Sequence, residues 1–218
     1  MTGYFATLNK VDLNDQILNS FDDSEKALLI VTVQRQDKYS LIANFLCSSN
    51  SYNMFPICDR ILYHHTCTLD DNLSKDPAIF ITHLAEEIFS LSPEIGEKMH
   101  WNSYVDSFLR GDQCSLFPIK CIEYLVVNPL REYASQISSK YYFIVVNFIE
   151  DCYSTGVDIL RILQILMKSL PSKFKFIYIS KFHANNFNGI FPNLRQFYIV
   201  SIITKGVHSD KKGNVEID

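Results

Sequence analysis

The chain predicts an α/β fold: a parallel five-stranded sheet with helices on both faces. Three observations lead there. Apolar segments of strand length alternate with helical stretches along the chain. The strongest of these segments are apolar at successive positions, as parallel strands covered on both faces must be. Gly and Pro number only 7 each among 218 residues, too few for a linker-like chain.

The first expected strand is Ala27 to Val33, ALLIVTV, followed by a helical stretch from Lys38 to Cys47 with Leu41, Ile42, Phe45 and Leu46 on one side. The second is Ile61 to Thr68. Asp76 then stands ready to cap a helix with Pro77 at its first position, and Ile79, Phe80, Ile81, Leu84, Ala85, Ile88 and Phe89 give that helix its apolar side. Further helices are expected over Tyr104 to Arg110 and Ile119 to Ala134, the latter bent or broken by Pro129, which has no backbone N–H to donate. The third strand, Tyr141 to Ile149, ends at Glu150 and Asp151. An apolar helix from Val157 to Leu170 is stopped by Pro171, and the last strands are Phe174 to Ser180 and Gln196 to Ile203. The pattern divides the chain into a lead-in segment (1–24), one domain (25–204) and a polar tail (205–218) expected to be disordered.

Composition excludes several classes. The net charge is −4 and no Lys/Arg block stands out, so nucleic acid is not an expected partner. Lys173 and Lys175, with Lys211 and Lys212, read as solvated surface. No apolar run reaches the length of a membrane span, and Met1 to Lys10 lacks a signal-peptide core, so no membrane insertion and a cytoplasmic location are expected. The six cysteines form no CxxC pair, which reads as reduced thiols. Cys58, His64, His65 and Cys67 do not follow zinc-finger spacing, and His64 and His65 point to opposite faces of a strand, so no metal is expected. His83 and His100 are isolated. Cys152 follows two acids, which raise rather than lower a thiol pKa, so it is not expected to be a nucleophile. No G-x-S-x-G elbow is present.

Six segments in order resemble the STAND-type P-loop NTPase domain of TANC proteins and related ankyrin-repeat scaffolds, over about Ala27 to Val200. LLIVTVQRQDKYS (28–40) stands at the Walker A strand and loop, YHHTCTLDDNL (63–73) at the second strand, and PAIFITHLAEEI (77–88) at the helix after it. CSLFPIKCIEYLVVNPL (114–130) is similar to the helix ending in the family's L-x-P-L pattern, FIVVNFIEDC (143–152) to Walker B, and LPSKFKFIYISK (170–181) to the family's L-P-x-W-L-K-x-I-x-T-x-R. The lid, winged-helix region and repeats of that family have no counterpart in this sequence.

The resemblance implies a P-loop NTPase-like fold with a degenerate nucleotide site. A working loop reads G-x-x-x-x-G-K-S/T, so that backbone N–H groups can curl around phosphates. With Lys38 at the lysine position, Thr32 and Asp37 replace the glycines and Tyr39 replaces the hydroxyl residue; a shift that brings in Ser40 restores no glycine. Asp37 sets an anion where phosphate belongs. Two anions about 4 Å apart repel by about 4 kcal/mol at an effective dielectric near 20, against about 8 kcal/mol for a micromolar ligand. At Walker B, Asn147 replaces the aspartate that supports Mg²⁺, a weaker ligand for a hard cation. Glu150 and Asp151 are remnants of a water-positioning pair or a solvated strand end, and Lys181 stands where the family often has Arg. No catalytic residue and no cofactor are expected. The expected role is a protein-interaction or scaffold module with protein partners and possible self-association. The degenerate nucleotide site would comprise Lys38, Ser40 and Asn147, and the alternative is an ATP·Mg-binding STAND NTPase or nucleotide switch to which Lys38, Ser40, Glu150 and Asp151 contribute.

Overall fold

The computed structural model describes residues 4–6, 21, 26–32, 60–91, 97, 113–134, 141–154, 156–181, 187, 190–191 and 195–199. Within them the chain is an α/β protein built on a parallel sheet. The strands are β1 (Tyr4–Ala6), β2 (Ala27–Thr32), β3 (Ile61–Thr66), β4 (Tyr142–Asn147), β5 (Phe174–Ser180) and β6 (Arg195–Ile199), in the order β1-β6-β2-β5-β4-β3. Every pairing is parallel. The sequence foresaw no strand in the lead-in segment, yet β1 pairs with β6 at the sheet edge, Tyr4 opposite Phe197.

Both faces of the central strands β2, β4 and β5 are buried. Leu29, Val31, Ile144, Val146, Phe176 and Tyr178 pack into one core with the described helices. Alternation turns their neighbours Leu28, Ile30, Phe143, Val145 and Ile177 to the second face, and these are buried as well. Phe21 covers part of that face, its ring 5.5 Å from Phe143. The helical stretch expected over Lys38 to Cys47 and the one over Tyr104 to Arg110 lie outside the described residues, as does the tail.

Four α-helical segments lie between β3 and β4, α1 (Pro77–Leu91), α2 (Gln113–Leu116), α3 (Pro118–Ile122) and α4 (Asn128–Tyr133), and α5 (Ile159–Ser169) leads from β4 into β5. Asp76 caps α1 as its position promised, its Oδ1 accepting from Ala78 N at 2.8 Å. Asp158 does the same for α5 through Arg161 N at 2.9 Å. Pro129 neither breaks nor ends its helix. A π turn over Glu123–Val127 precedes it, in which Asn128 N donates to Glu123 O. The wider turn absorbs the missing proline donor without unwinding the chain.

Cations close the amino-terminal edge. Lys26 Nζ donates to Met167 O at 2.7 Å and to Leu170 O at 2.5 Å, and Arg131 Nε donates to Ser169 O at 2.9 Å. Positive charge thus meets the carbonyl end of α5, where the helix dipole favours it. Lys173 Nζ donates likewise to Ala134 O. Lys175 corrects the sequence reading: it is 0% exposed, not solvated. It lies on the second face of β5, its Nζ 4.9 Å from the Tyr141 ring centroid and 5.9 Å from that of Phe21. Aromatic faces and a buried stem accommodate the ammonium there.

Candidate functional site

In an open parallel sheet, ligands bind beyond the carboxyl ends of the strands, beside the point where connections diverge. Here that point is between β2 and β5. They are neighbours, Val31 opposite Ser180, but the chain goes from β2 to β3 at one end of the order and from β5 to β6 in the other direction.

The β4 end builds the best-defined part of this edge. The strand stops at Asn147, two residues earlier than the apolar pattern predicts, because Phe148 turns into the left-handed region at φ 53°. A non-glycine residue there costs of order 1–3 kcal/mol. The turn Ile149–Asp151 follows, with Asp151 N donating to Phe148 O at 2.8 Å. This reversal carries Glu150 and Asp151 toward the end of β5. Lys181 Nζ lies 3.7 Å from Glu150 Oε1 and 3.9 Å from Asp151 Oδ1, and Lys181 N donates to the same Glu150 oxygen at 3.3 Å.

Several polar atoms here are buried without a hydrogen-bond partner: Asn147 Nδ2 and Oδ1, and Glu150 Oε2. Asn147 is 1% exposed and the Glu150 side chain 6%. Leaving such groups unmatched costs about 1–3 kcal/mol each, which makes them the polar groups most able to gain from a ligand.

Cysteines fasten the same turn from the other side. Cys67 and Cys152 form a disulfide with Cα atoms 5.1 Å apart, and Cys67 N donates to Asn147 O at 3.1 Å, extending the β3–β4 pairing by one residue. Cys114 and Cys121 form a second disulfide. The reading of these four as reduced thiols is therefore corrected; Cys47 and Cys58 lie outside the described residues. β3 and β4 are adjacent, so residues just past their ends meet, and that adjacency is not visible in the spacing of Cys67 and Cys152.

Beside the disulfide, the loop from Cys67 to Asp76 hangs from a buried histidine. His65 Nε2 donates to Ser74 O at 2.7 Å; a carbonyl only accepts, so the proton is on Nε2 and Nδ1 accepts from the Tyr63 hydroxyl at 3.2 Å. Burial holds the His65 pKa below its usual value although the Ser74 carbonyl opposes the shift, and His64 and His83 add to the lowering. Burial, with Glu87 and Glu86 nearby, pushes the Tyr63 phenol up, so it stays a donor. Thr68 N donates to Ser74 Oγ at 2.9 Å and Ser74 Oγ to Asp71 O at 2.7 Å. The loop presents Leu69 and Leu73 to solvent, and Tyr153, next to Cys152, is exposed too.

Of the residues singled out from sequence, Glu150 and Asp151 share one turn and meet Lys181, while Asn147 ends the strand before that turn. Reading the acids and the lysine separately missed that pairing, for which parallel strand ends one neighbour apart were the only available signal. Lys38 and Ser40 lie outside the described residues. Among the described residues no group of three or more His, Cys, Asp or Glu gathers where it could hold a metal ion, and no helix is long and apolar enough to cross a membrane. A scan against protein-family models finds no match, and a search of curated proteins finds none either.

Proposed function

We propose that the chain is a non-catalytic P-loop NTPase-like domain, similar to those of TANC proteins, that acts by binding other proteins. The pairing of Lys181 with both acids of the β4 turn carries this reading. Magnesium nucleotide chemistry needs carboxylates free to support a hydrated cation and its phosphates. Here both acids face a lysine ammonium, and the preceding strand position holds a neutral amide, Asn147. These groups do not fit a magnesium nucleotide. The divergence of connections beside β2 agrees with a P-loop-type arrangement, and the loss of glycine from 34–37 removes the flexible cradle.

Protein binding is supported by the large apolar side chains exposed around this edge, Leu69, Leu73 and Tyr153, and by Leu116, Phe117 and Ile119 where α2 passes into α3. Thermal denaturation tests the nucleotide half of the proposal. Mg·ATP should leave the melting temperature unchanged, whereas a bound ligand at about 100 times its Kd would raise it by about 5–10 °C.

A second reading, an ATP-dependent switch using Lys38, Ser40, Glu150 and Asp151, draws on the unpartnered atoms of Asn147 and Glu150. Its test is Lys38→Ala: nucleotide binding equal to that of the wild type would remove it.

A further inference from the structure

We infer that the Cys67–Cys152 disulfide is a reversible redox clasp: closed, it fixes the turn after β4, and reduced, it releases that turn while the sheet stays folded. The bond joins the residue just past β3 to the residue just past the turn Ile149–Asp151. The hydrogen bonds of Asp151 N and Cys152 N stay within the turn, to Phe148 O and Ile149 O, so they shape it without anchoring it to β3. Phe148 holds a left-handed φ of 53°, a conformation that a non-glycine residue keeps only where its surroundings impose it. The disulfide supplies that constraint from the β3 side. Cys67 itself stays in the sheet when the bond opens, because its N donates to Asn147 O at 3.1 Å. The freedom gained therefore falls on the turn.

Reduction strands no thiol proton. Cys67 Sγ lies 3.5 Å from Ser74 O and Cys152 Sγ 3.7 Å from Phe148 O, so each new S–H has an acceptor already in place. A carbonyl has two lone pairs, and Ser74 O can take the thiol beside His65 Nε2. A dithiol reductant supplies the two electrons. Its thiolate attacks Cys152 Sγ, the sulfur one residue from Tyr153, which is 68% exposed. The S–S bond breaks, and Cys67 leaves as a thiolate and takes a proton. The second thiol of the reductant resolves the mixed disulfide, freeing Cys152 as a thiol and leaving the reductant as its own disulfide. Both half-cystines are 0% exposed, so the exchange waits on a local opening beside Tyr153. Once the bond is open, the segment carrying Glu150, Asp151 and Tyr153 is no longer fixed to the loop carrying Leu69 and Leu73. The inference stands on this geometry and not on the scaffold reading, so either can fail alone.

Backbone nitrogen relaxation of the full chain, in dithiothreitol buffers of graded reduced-to-oxidised ratio, is the test. In the oxidising buffer the order parameters of Ile149 to Tyr153 should match those of the sheet, about 0.85. In the reducing buffer they should fall below about 0.6 while β4 and β5 stay near 0.85, and reoxidation should restore them. Cys67→Ser combined with Cys152→Ser keeps a donor at each position and should show the open turn in either buffer. The Cys114–Cys121 bond stays closed in that variant under oxidising conditions, which separates the two disulfides. A turn that stays rigid after reduction would overturn the inference, and so would a bond that none of the buffers reduces. Collapse of the whole amide spectrum on reduction of the wild type would overturn it too, by making the bond a structural staple.

Discussion

Replacing Cys67 and Cys152 together by alanine removes a cross-link between positions 85 residues apart in sequence. In the chain-entropy account a loop of that size restricts the unfolded state by roughly 15 cal/mol/K, or about 4.5 kcal/mol at 25 °C. Both half-cystines are fully buried, so each lost sulfur adds a small cavity cost of about 1 kcal/mol. A domain of ordinary stability has about 5–15 kcal/mol in total, so the double variant should lie close to its unfolding threshold. Urea denaturation followed by circular dichroism reads the effect as a lowered midpoint, and a non-reducing peptide map of the wild type should contain the Cys67–Cys152 linked pair. Reduction of the wild type by a dithiol should reproduce most of the loss without the cavity contribution. A double variant that loses under about 1 kcal/mol would refute the reasoning, because the disulfide would then not constrain the unfolded chain.

Tyr178 hydroxyl is fully buried with no hydrogen-bond partner, so Tyr178→Phe should stabilise the protein by about 1 kcal/mol in the same assay. Lys26→Met deletes two hydrogen bonds to the carbonyl end of α5 and should cost about 1–2 kcal/mol, measured as a drop in urea midpoint. His65 has a lowered folded pKa, so its contribution is fully present above the unfolded value near 6.5 and is lost as pH falls from there toward the folded value. The wild type should therefore lose stability between pH 7 and 5 more steeply than His65→Gln, and parallel pH profiles would contradict the assignment.

Strands β2, β4 and β5 were legible because burial on both faces makes a continuous apolar run, and no surface face interrupts it. Their ends were less so. Hydropathy continues through Phe148 and Ile149, but the backbone reverses at Phe148, and a dihedral angle leaves no trace in apolar spacing. The same limit applies at Pro129, where proline signals a missing donor but not that a π turn absorbs it. Lys175 was read as surface because lysine usually is; its two aromatic neighbours, Phe21 and Tyr141, come from distant parts of the chain. At the candidate site, Asn147, Glu150 and Asp151 were visible as a sequence cluster. Their partner Lys181 and the Cys67–Cys152 link depend on which strands lie side by side, which the alternation of helix and strand does not specify.

Isothermal titration calorimetry of the full chain with Mg·ATP bears most directly on the idea that a built-in ammonium has closed the ligand edge of this sheet. The expected trace is heat of dilution alone, with and without magnesium. Saturable heat at one-to-one stoichiometry and micromolar affinity would contradict it.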